Sequence, residues 1–238
     1  MRRFYAPKQN FSGSGVSLDA DETRHLRDVL RLNVGDTASV FDGEGGEFAC
    51  TIAAIGKKES ILLISDSVEP PAPKSPLDLT LAVSLLKGDK FDLLTQKAVE
   101  LGVSKLIPLE TARADVRAGN GEARHIRWQK IALGATKQCG RATLMWVEKP
   151  VSFEGFVRAA TGLVYFFSER DGSPFPLLKT EQNVTAIIGP EGGWEDREIE
   201  LARNAGFQHV TLGGRILRAE TAAIAFASIL QHRFGDLN

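Results

Sequence analysis

Apolar and polar residues alternate in short runs through the first seventy positions. Residues 38–42 and 47–52 flank the Gly43–Gly46 turn, and residues 60–68 follow Gly56-Lys57-Lys58. Strand, turn, strand, turn, strand predicts a small antiparallel barrel. One helical period interrupts it: over 22–32, Leu26, Val29 and Leu30 share a face while Arg24, Arg27 and Arg31 point elsewhere. The rhythm then changes. Strands are predicted at 79–86, 106–109, 143–147, 163–167, 184–188 and 209–212. Between them lie helices at 89–101, 122–138, 153–160 and 196–204, with a last helix at 220–234 that is apolar nearly all round. In the first helix Phe91, Leu94, Ala98 and Leu101 recur at helical spacing, and Gly102 stands where a C-cap is expected. Strands alternating with helices predict a mostly parallel sheet covered on both faces.

The two rhythms meet at PPAPKSP, residues 70–76, which holds four of the ten prolines. Such a stretch is neither helix interior nor central strand and reads as a stiff linker. The expected division is therefore 1–69, a linker over 70–76, and 77–238.

Composition narrows the class. The 238 residues, 43% hydrophobic and 25% charged, bury a core without disulfides or metals. Cys50 and Cys139 lie far apart with no metal-ligand spacing, as expected of a reducing cytoplasm. MRRFYAPKQNF lacks an apolar signal region, and no apolar run approaches 18 residues, so no membrane association is expected. A net charge of -1 excludes a basic-tail nucleic-acid binder but leaves room for local patches. Two occur. Between Arg113 and Arg141 stand Arg113, Arg117, Arg124, Arg127, Lys130, Lys137 and Arg141, against Asp115 and Glu122 alone. Arg2, Arg3, Arg24, Arg27 and Arg31 form the second. Such clusters neutralise phosphates and point to an RNA or DNA surface.

Ligands in open α/β sheets bind beyond the carboxyl ends of strands, and two glycine-rich turns fall there. Ile188-Gly189-Pro190-Glu191-Gly192-Gly193-Trp194 follows one predicted strand. Leu212-Gly213-Gly214-Arg215-Ile216-Leu217-Arg218 follows another and leads to Glu220 and Thr221. Glycines there let the backbone approach a ligand, and Ile188, Leu212, Ile216 and Leu217 could close over a flat heterocycle such as adenine. No dinucleotide fingerprint, P-loop, paired-histidine metal site or nucleophile elbow occurs.

The pairing of IGPEGGW with LGGRILRAETA resembles the RsmE family, the bacterial 16S rRNA (uracil-N3)-methyltransferases of the SPOUT superfamily. MRRFY and His25-Leu26-Arg27-Asp28-Val29-Leu30-Arg31 resemble its PUA-like domain. Lys87-Gly88-Asp89-Lys90, residues 96–103, Gln138-Cys139-Gly140-Arg141 and the closing Arg233-Phe234-Gly235-Asp236 resemble its other motifs. Gly214 stands where some members carry proline, and Lys137 where others carry glutamate. The resemblance implies an N-terminal PUA-like RNA-binding β-barrel and a C-terminal SPOUT-type α/β domain tied in a trefoil knot. It implies S-adenosylmethionine bound by Ile188, Gly189, Glu191, Gly192, Gly193, Leu212, Gly213, Ile216, Leu217 and Thr221. It further implies a homodimer through the 220–234 helix, with 16S rRNA or the assembled small ribosomal subunit as partner.

Uracil N3 must lose its proton before it attacks a methyl group. Arginine cannot take that proton but can stabilise charge on the base or grip a phosphate. Arg215 and Arg218 are therefore expected in that role, and Glu220 as proton acceptor or as the group orienting an arginine. Glu220 would equally suit a helix's first turn with no chemical role. Arg2, Arg3, Arg27, Arg31 and Lys87 are expected to hold RNA, with Gln138 and Arg141 at the target nucleotide. Three readings compete: a non-catalytic RNA-binding or assembly protein, which predicts damaged glycine turns; a SPOUT enzyme acting on tRNA or ribose 2′-OH; and a nucleotide-binding metabolic enzyme.

Overall fold

The computed structural model describes every residue except 1, 115, 117, 118, 120, 171, 176–181 and 238. Asp115 and Arg117 of the basic cluster between Arg113 and Arg141 lie outside the described residues. The chain forms two units, Met1–Lys74 with Thr136–Leu144, and Ser75–Ala135 with Met145–Asn238.

The first unit begins with β1 (Arg3–Tyr5), β2 (Phe11–Ser12), β3 (Gly15–Leu18) and the short helix α1 (Ala20–Arg24). Next come β4 (Thr37–Phe41), β5 (Glu47–Ile55) and β6 (Ser60–Val68). They form one sheet in the order β1-β4-β5-β6-β3-β2. Every pairing in it is antiparallel except β1 with β4. Register shifts at Ala49/Cys50 and Ile52/Ala54 bend the β5–β6 pair, as bulges do in strongly curved sheets. Phe4, Val16, Leu18, Leu26, Val40, Ile52 and Leu62 fill its interior.

Asp19 caps α1, its Oδ1 accepting from the Asp21 and Glu22 amides at 3.0 and 2.9 Å. The helix then widens into a π turn over His25–Val29, closed by Leu30 N–H on the His25 carbonyl. The wider turn changes the angular spacing of its own residues about the helix axis. Val29 is consequently 64% exposed and leaves the apolar face expected for it.

The predicted linker does not stand apart. Lys74 and the residues before it belong to the first unit, where the Ala72 amide donates to the Gly140 carbonyl at 3.2 Å. Gly140 has φ +89, and a Cβ there would stand 3.0 Å from Pro71 Cβ. The units thus divide at Lys74 and place Thr136–Leu144 with the first, where the sequence reading expected a linker over 70–76 and one C-terminal domain from 77. Proline-rich chain extends, but its carbonyls and amides still pair where a neighbouring strand presents partners.

The second unit runs β7 (Asp78–Ser84), α2 (Lys90–Glu100), β8 (Lys105–Glu110), α3 (Gly121–Cys139, passing to the first unit at Thr136), β9 (Trp146–Val147), β10 (Val151–Ser152) and α4 (Phe153–Ala159). It continues with β11 (Leu163–Phe167), β12 (Ser173–Pro174), β13 (Asn183–Ile188), α5 (Asp196–Asn204), β14 (Gln208–Thr211) and α6 (Ala219–Phe234). Its sheet has the order β10-β8-β7-β13-β11-β14-β12, with β9 beside β8, and every pair is parallel. Both faces are covered, as buried β-branched and aromatic runs require. Along β11, Val164 and Phe166 pack on one side with Phe153, Trp194 and Phe207. Tyr165 and Phe167 turn to Phe226 of α6 on the other. The expected strand at 143–147 shrinks to Trp146–Val147, because Thr143 instead bridges Gly43 and Glu44 in the first unit.

Candidate functional site

Strands β13, β11 and β14 are neighbours in a parallel sheet, so their carboxyl ends open on one edge. Three turns leave that edge: residues 168–170, 189–193 and 212–218. The first two, with Ile216–Arg218 of the third and Ala219 and Ala222 of α6, surround a cleft of about 570 Å³. This lies within the roughly 300–1,000 Å³ range of small-molecule sites.

Of the residues expected to hold a cofactor, Ile188, Gly189, Glu191, Gly192, Gly193, Ile216 and Leu217 line this cleft, and Arg218 joins them. Leu212, Gly213 and Thr221 do not line it, nor do Arg215 and Glu220. Gly213, at φ +73, shapes the turn that carries Ile216 and Leu217. Sequence reasoning missed the turn after β11, which supplies Ser168, Glu169 and Arg170, and missed Trp194 as a wall. That turn has no glycine-rich run to mark it, only Gly172, whose amide donates to the Ser168 carbonyl at 3.2 Å. Only the placing of β11 between β13 and β14 brings it to the site. Arg113 also lines the cleft, although its place in the basic cluster suggested RNA.

Side-chain contacts hold the three turns. Glu169 accepts the Leu217 amide at 3.2 Å. Arg170 donates to the Trp194 carbonyl at 2.5 Å and stands 3.3 Å from Asp196. The Trp194 indole donates to the Phe167 carbonyl at 2.8 Å and lies over Phe166, with ring centroids 4.5 Å apart. A Cβ on Gly192 would meet the Arg113 backbone carbonyl and Cβ at 3.2 Å. Gly193, at φ +70, has nothing within 4 Å of a Cβ position. Lys90, at the start of α2, pairs with Glu191 and approaches Glu220.

The residues expected to bind RNA separate by burial. Arg3 is 3% exposed. It pairs with Glu47 through Nε and Nη2 at 2.9 and 2.8 Å and donates to the Thr136 and Arg141 carbonyls at 3.0 and 2.6 Å. Arg141 is also buried. The Arg3 guanidinium, fully engaged inside the first unit, offers no donors to RNA, which corrects its expected phosphate contact, and Arg141 is enclosed in the same unit. Arg2, Arg31, Lys87 and Gln138 are exposed and Arg27 is half-buried. Arg27 pairs with Asp28 at 2.7 Å, and that carboxylate raises the Arg27 pKa and is itself lowered.

Burial pushes the Cys50 thiol up to about 11. It also lowers the His25 imidazole, with Lys137 adding to the effect. Among the described residues no cluster of His, Cys, Asp and Glu could hold a metal ion, and no helix is long and apolar enough to cross a membrane.

Comparison with known proteins agrees with this arrangement. Residues 73–231 match the RNA methyltransferase domain family and residues 18–65 the RNA methyltransferase PUA domain family. The chain is 34% identical over 229 residues to the ribosomal RNA small subunit methyltransferase E of Rickettsia conorii, covering 93% of this chain and 91% of that one. It is 36% identical over 239 residues to the protein of the same name in Synechocystis, covering 96% and 76%. The crystal structure of a ribosomal RNA small subunit methyltransferase E from Neisseria gonorrhoeae bound to S-adenosylmethionine matches with TM-score 0.90 and 34% identity over 100% of both chains. A methyltransferase from Legionella pneumophila in complex with the same cofactor matches with TM-score 0.90 and 34% identity over 99% of both.

Proposed function

The chain belongs to the ribosomal RNA small subunit methyltransferase E family, and from that premise we propose that it transfers the methyl group of S-adenosylmethionine to N3 of a uridine in 16S rRNA. The observation that carries this reading is the cleft built from both glycine-rich turns at the carboxyl edge of the sheet.

The residues present suit that cofactor. Ile188, Ile216, Leu217, Ala219 and Ala222 offer apolar walls for a purine, while Glu169 and Glu191 bring negative charge to the same cleft. The open space over Gly193 admits a ligand against the backbone. When bound, S-adenosylmethionine supplies an electrophilic methyl carbon on a positively charged sulfur.

Glu220, at the start of α6, accepts the proton of uracil N3. The electron pair left on N3 forms the bond to the methyl carbon, and the pair of the broken carbon–sulfur bond stays on sulfur. The products are N3-methyluridine and S-adenosylhomocysteine, and Glu220 returns its proton to solvent. Arg218, on the cleft wall, and Arg215, exposed beside it, stabilise negative charge on the uracil oxygens or hold the flanking phosphate. In the first unit, Arg2, Arg27 and Arg31 grip RNA through phosphates, while Lys87 and Gln138 are further contacts. The enzyme works in the cytoplasm on 16S rRNA or the assembled small subunit. It pairs with a second copy through α6, whose Ile224, Ala225, Ser228 and Ile229 are only half-buried. The knotted course of the chain through the glycine turns belongs to the same reading.

Calorimetric titration with S-adenosylmethionine tests the cleft. Wild type binds, and Gly192→Val, which forces a branched side chain against Arg113, does not, although its unfolding transition persists. Nucleoside mass spectrometry of treated rRNA tests the product. A 2′-O-methyl nucleoside in place of N3-methyluridine would overturn the base assignment.

A further inference from the structure

Two acidic residues flank the glycine turns, Glu191 in the first and Glu220 just after the second, and a single lysine meets both. Lys90 Nζ pairs with Glu191 and stands 3.8 Å from Glu220 Oε1. The other oxygen of Glu220, Oε2, is buried and has no hydrogen-bond partner. An unpaired buried acceptor is costly to keep, yet the protein leaves this oxygen unsatisfied at the start of α6, with Lys90 within ion-pair reach of the carboxylate but not hydrogen-bonded to it. The Lys90 side chain is 30% exposed. Ion pairs with that much solvent contribute little to stability, too little to make the arrangement a device for folding.

Resting on the uridine chemistry above, we infer that Lys90 is a positioning residue that acts through Glu220. Its charge draws the Glu220 carboxylate toward the first glycine turn and keeps it, uncommitted to any other partner, oriented to take the N3 proton. The second carboxylate has a chemical purpose in this arrangement. When Glu220 is neutralised by the arriving proton, Lys90 keeps its pairing with Glu191, and no ammonium is left uncompensated at the moment of transfer. Since Glu191 also lines the cleft, the same lysine ties the proton acceptor to a wall of that cleft. Position 90 needs a cation of lysine-like reach, and arginine can supply one.

The test is a double-mutant cycle on the full chain with small-subunit rRNA as substrate, measured as single-turnover rates at saturating S-adenosylmethionine. Calorimetry gives the cofactor Kd of each variant, and thermal unfolding confirms that each is folded. Glu220→Gln is expected to slow transfer about 100-fold, the scale of a lost general base. Lys90→Met should slow it at least about tenfold with a smaller change in Kd, and Lys90→Arg should restore most of the rate. The double variant Lys90→Met/Glu220→Gln should be no slower than Glu220→Gln alone, since coupled groups are not additive. Losses that multiply in the double variant, or a Lys90→Met rate equal to wild type, would overturn the role of Lys90 alone. A Glu220→Gln rate equal to wild type would overturn the proton acceptor and Lys90 with it. A wild type that makes no N3-methyluridine would overturn the uridine reading itself.

Discussion

The indole of Trp194 occupies the space that a side chain on Gly189 would need: a Cβ there would lie 2.6 Å from Trp194 Cε2 and 2.7 Å from Nε1. Trp194 cannot retreat easily, because Phe153 and Phe166 flank it at centroid distances of 5.0 and 4.5 Å. Overpacking of this kind costs about 1–3 kcal/mol, and for a chain of this size each kcal/mol lowers Tm by about 2–4 °C. Gly189→Ala should therefore melt several degrees lower and bind S-adenosylmethionine more weakly, since the Trp194 wall must move. An unchanged Tm, with the near-ultraviolet circular dichroism also unchanged, would refute this.

Arg3 and Arg31, alike in the sequence, should behave oppositely. Arg3→Met strands Glu47, which is 2% exposed, and breaking a buried pair this way costs about 3–5 kcal/mol. Its urea midpoint should fall sharply. Arg31 is exposed with φ +53, a left-handed conformation that costs a non-glycine residue about 1–2 kcal/mol. Arg31→Gly should keep or raise stability and weaken RNA binding, most visibly at low salt. Equal urea midpoints for the two variants would contradict the burial argument.

The difference between those arginines shows where sequence reading stops. The strand–helix alternation of the second unit was legible because its periods are long: the ranges 163–167 and 196–204 match β11 and α5, and the other helices and most strands fall within a residue or two. Both glycine turns were legible for the same reason, since each follows a buried strand and precedes a helix. Strands β1, β2 and β3 have two to four residues each, too few to show alternation. The inward course of Arg3 depends on Glu47, on Phe41 beneath its guanidinium at 4.3 Å, and on carbonyls more than 130 positions away. No local pattern encodes such a partner. The same holds for Ser168–Arg170 and Lys90, which reach the site through strand order and side-chain reach.

The two cysteines should differ in reactivity. Burial raises the Cys50 thiol to about 11 from its ordinary 9.0, so it stays protonated and enclosed at neutral pH. Cys139 is half-exposed. Iodoacetamide at pH 8 should label Cys139 first and spare Cys50, as read by peptide mass spectrometry. The linkage has a definite sign. The unfolded chain loses the Cys50 proton near pH 9 while the folded chain retains it to about 11, so the contribution of this group to stability is full below pH 9 and declines between pH 9 and 11. Cys50→Ala should flatten that alkaline decline, and a decline as steep as wild type would assign it to other groups.

Arg170 tests the turn that carried no glycine-rich run. Its guanidinium donates to the Trp194 carbonyl and faces Asp196, joining the end of β11 to the close of the first glycine turn and the start of α5. The Arg170–Asp196 pair is solvent-exposed, at 56% and 87% for the two side chains, so its loss should change global stability by less than about 1 kcal/mol. The bond to the Trp194 carbonyl is different, because it fixes a wall of the cleft. A hydrogen bond from a charged donor contributes about 1.5–3 kcal/mol, and 1.4 kcal/mol is tenfold in affinity. Arg170→Ala should thus lower Tm by several degrees and weaken S-adenosylmethionine binding about tenfold, and Arg170→Lys should recover part of both losses. Calorimetric titration of the three proteins decides it: a wild-type Kd in Arg170→Ala would show that the cleft holds its shape without this turn.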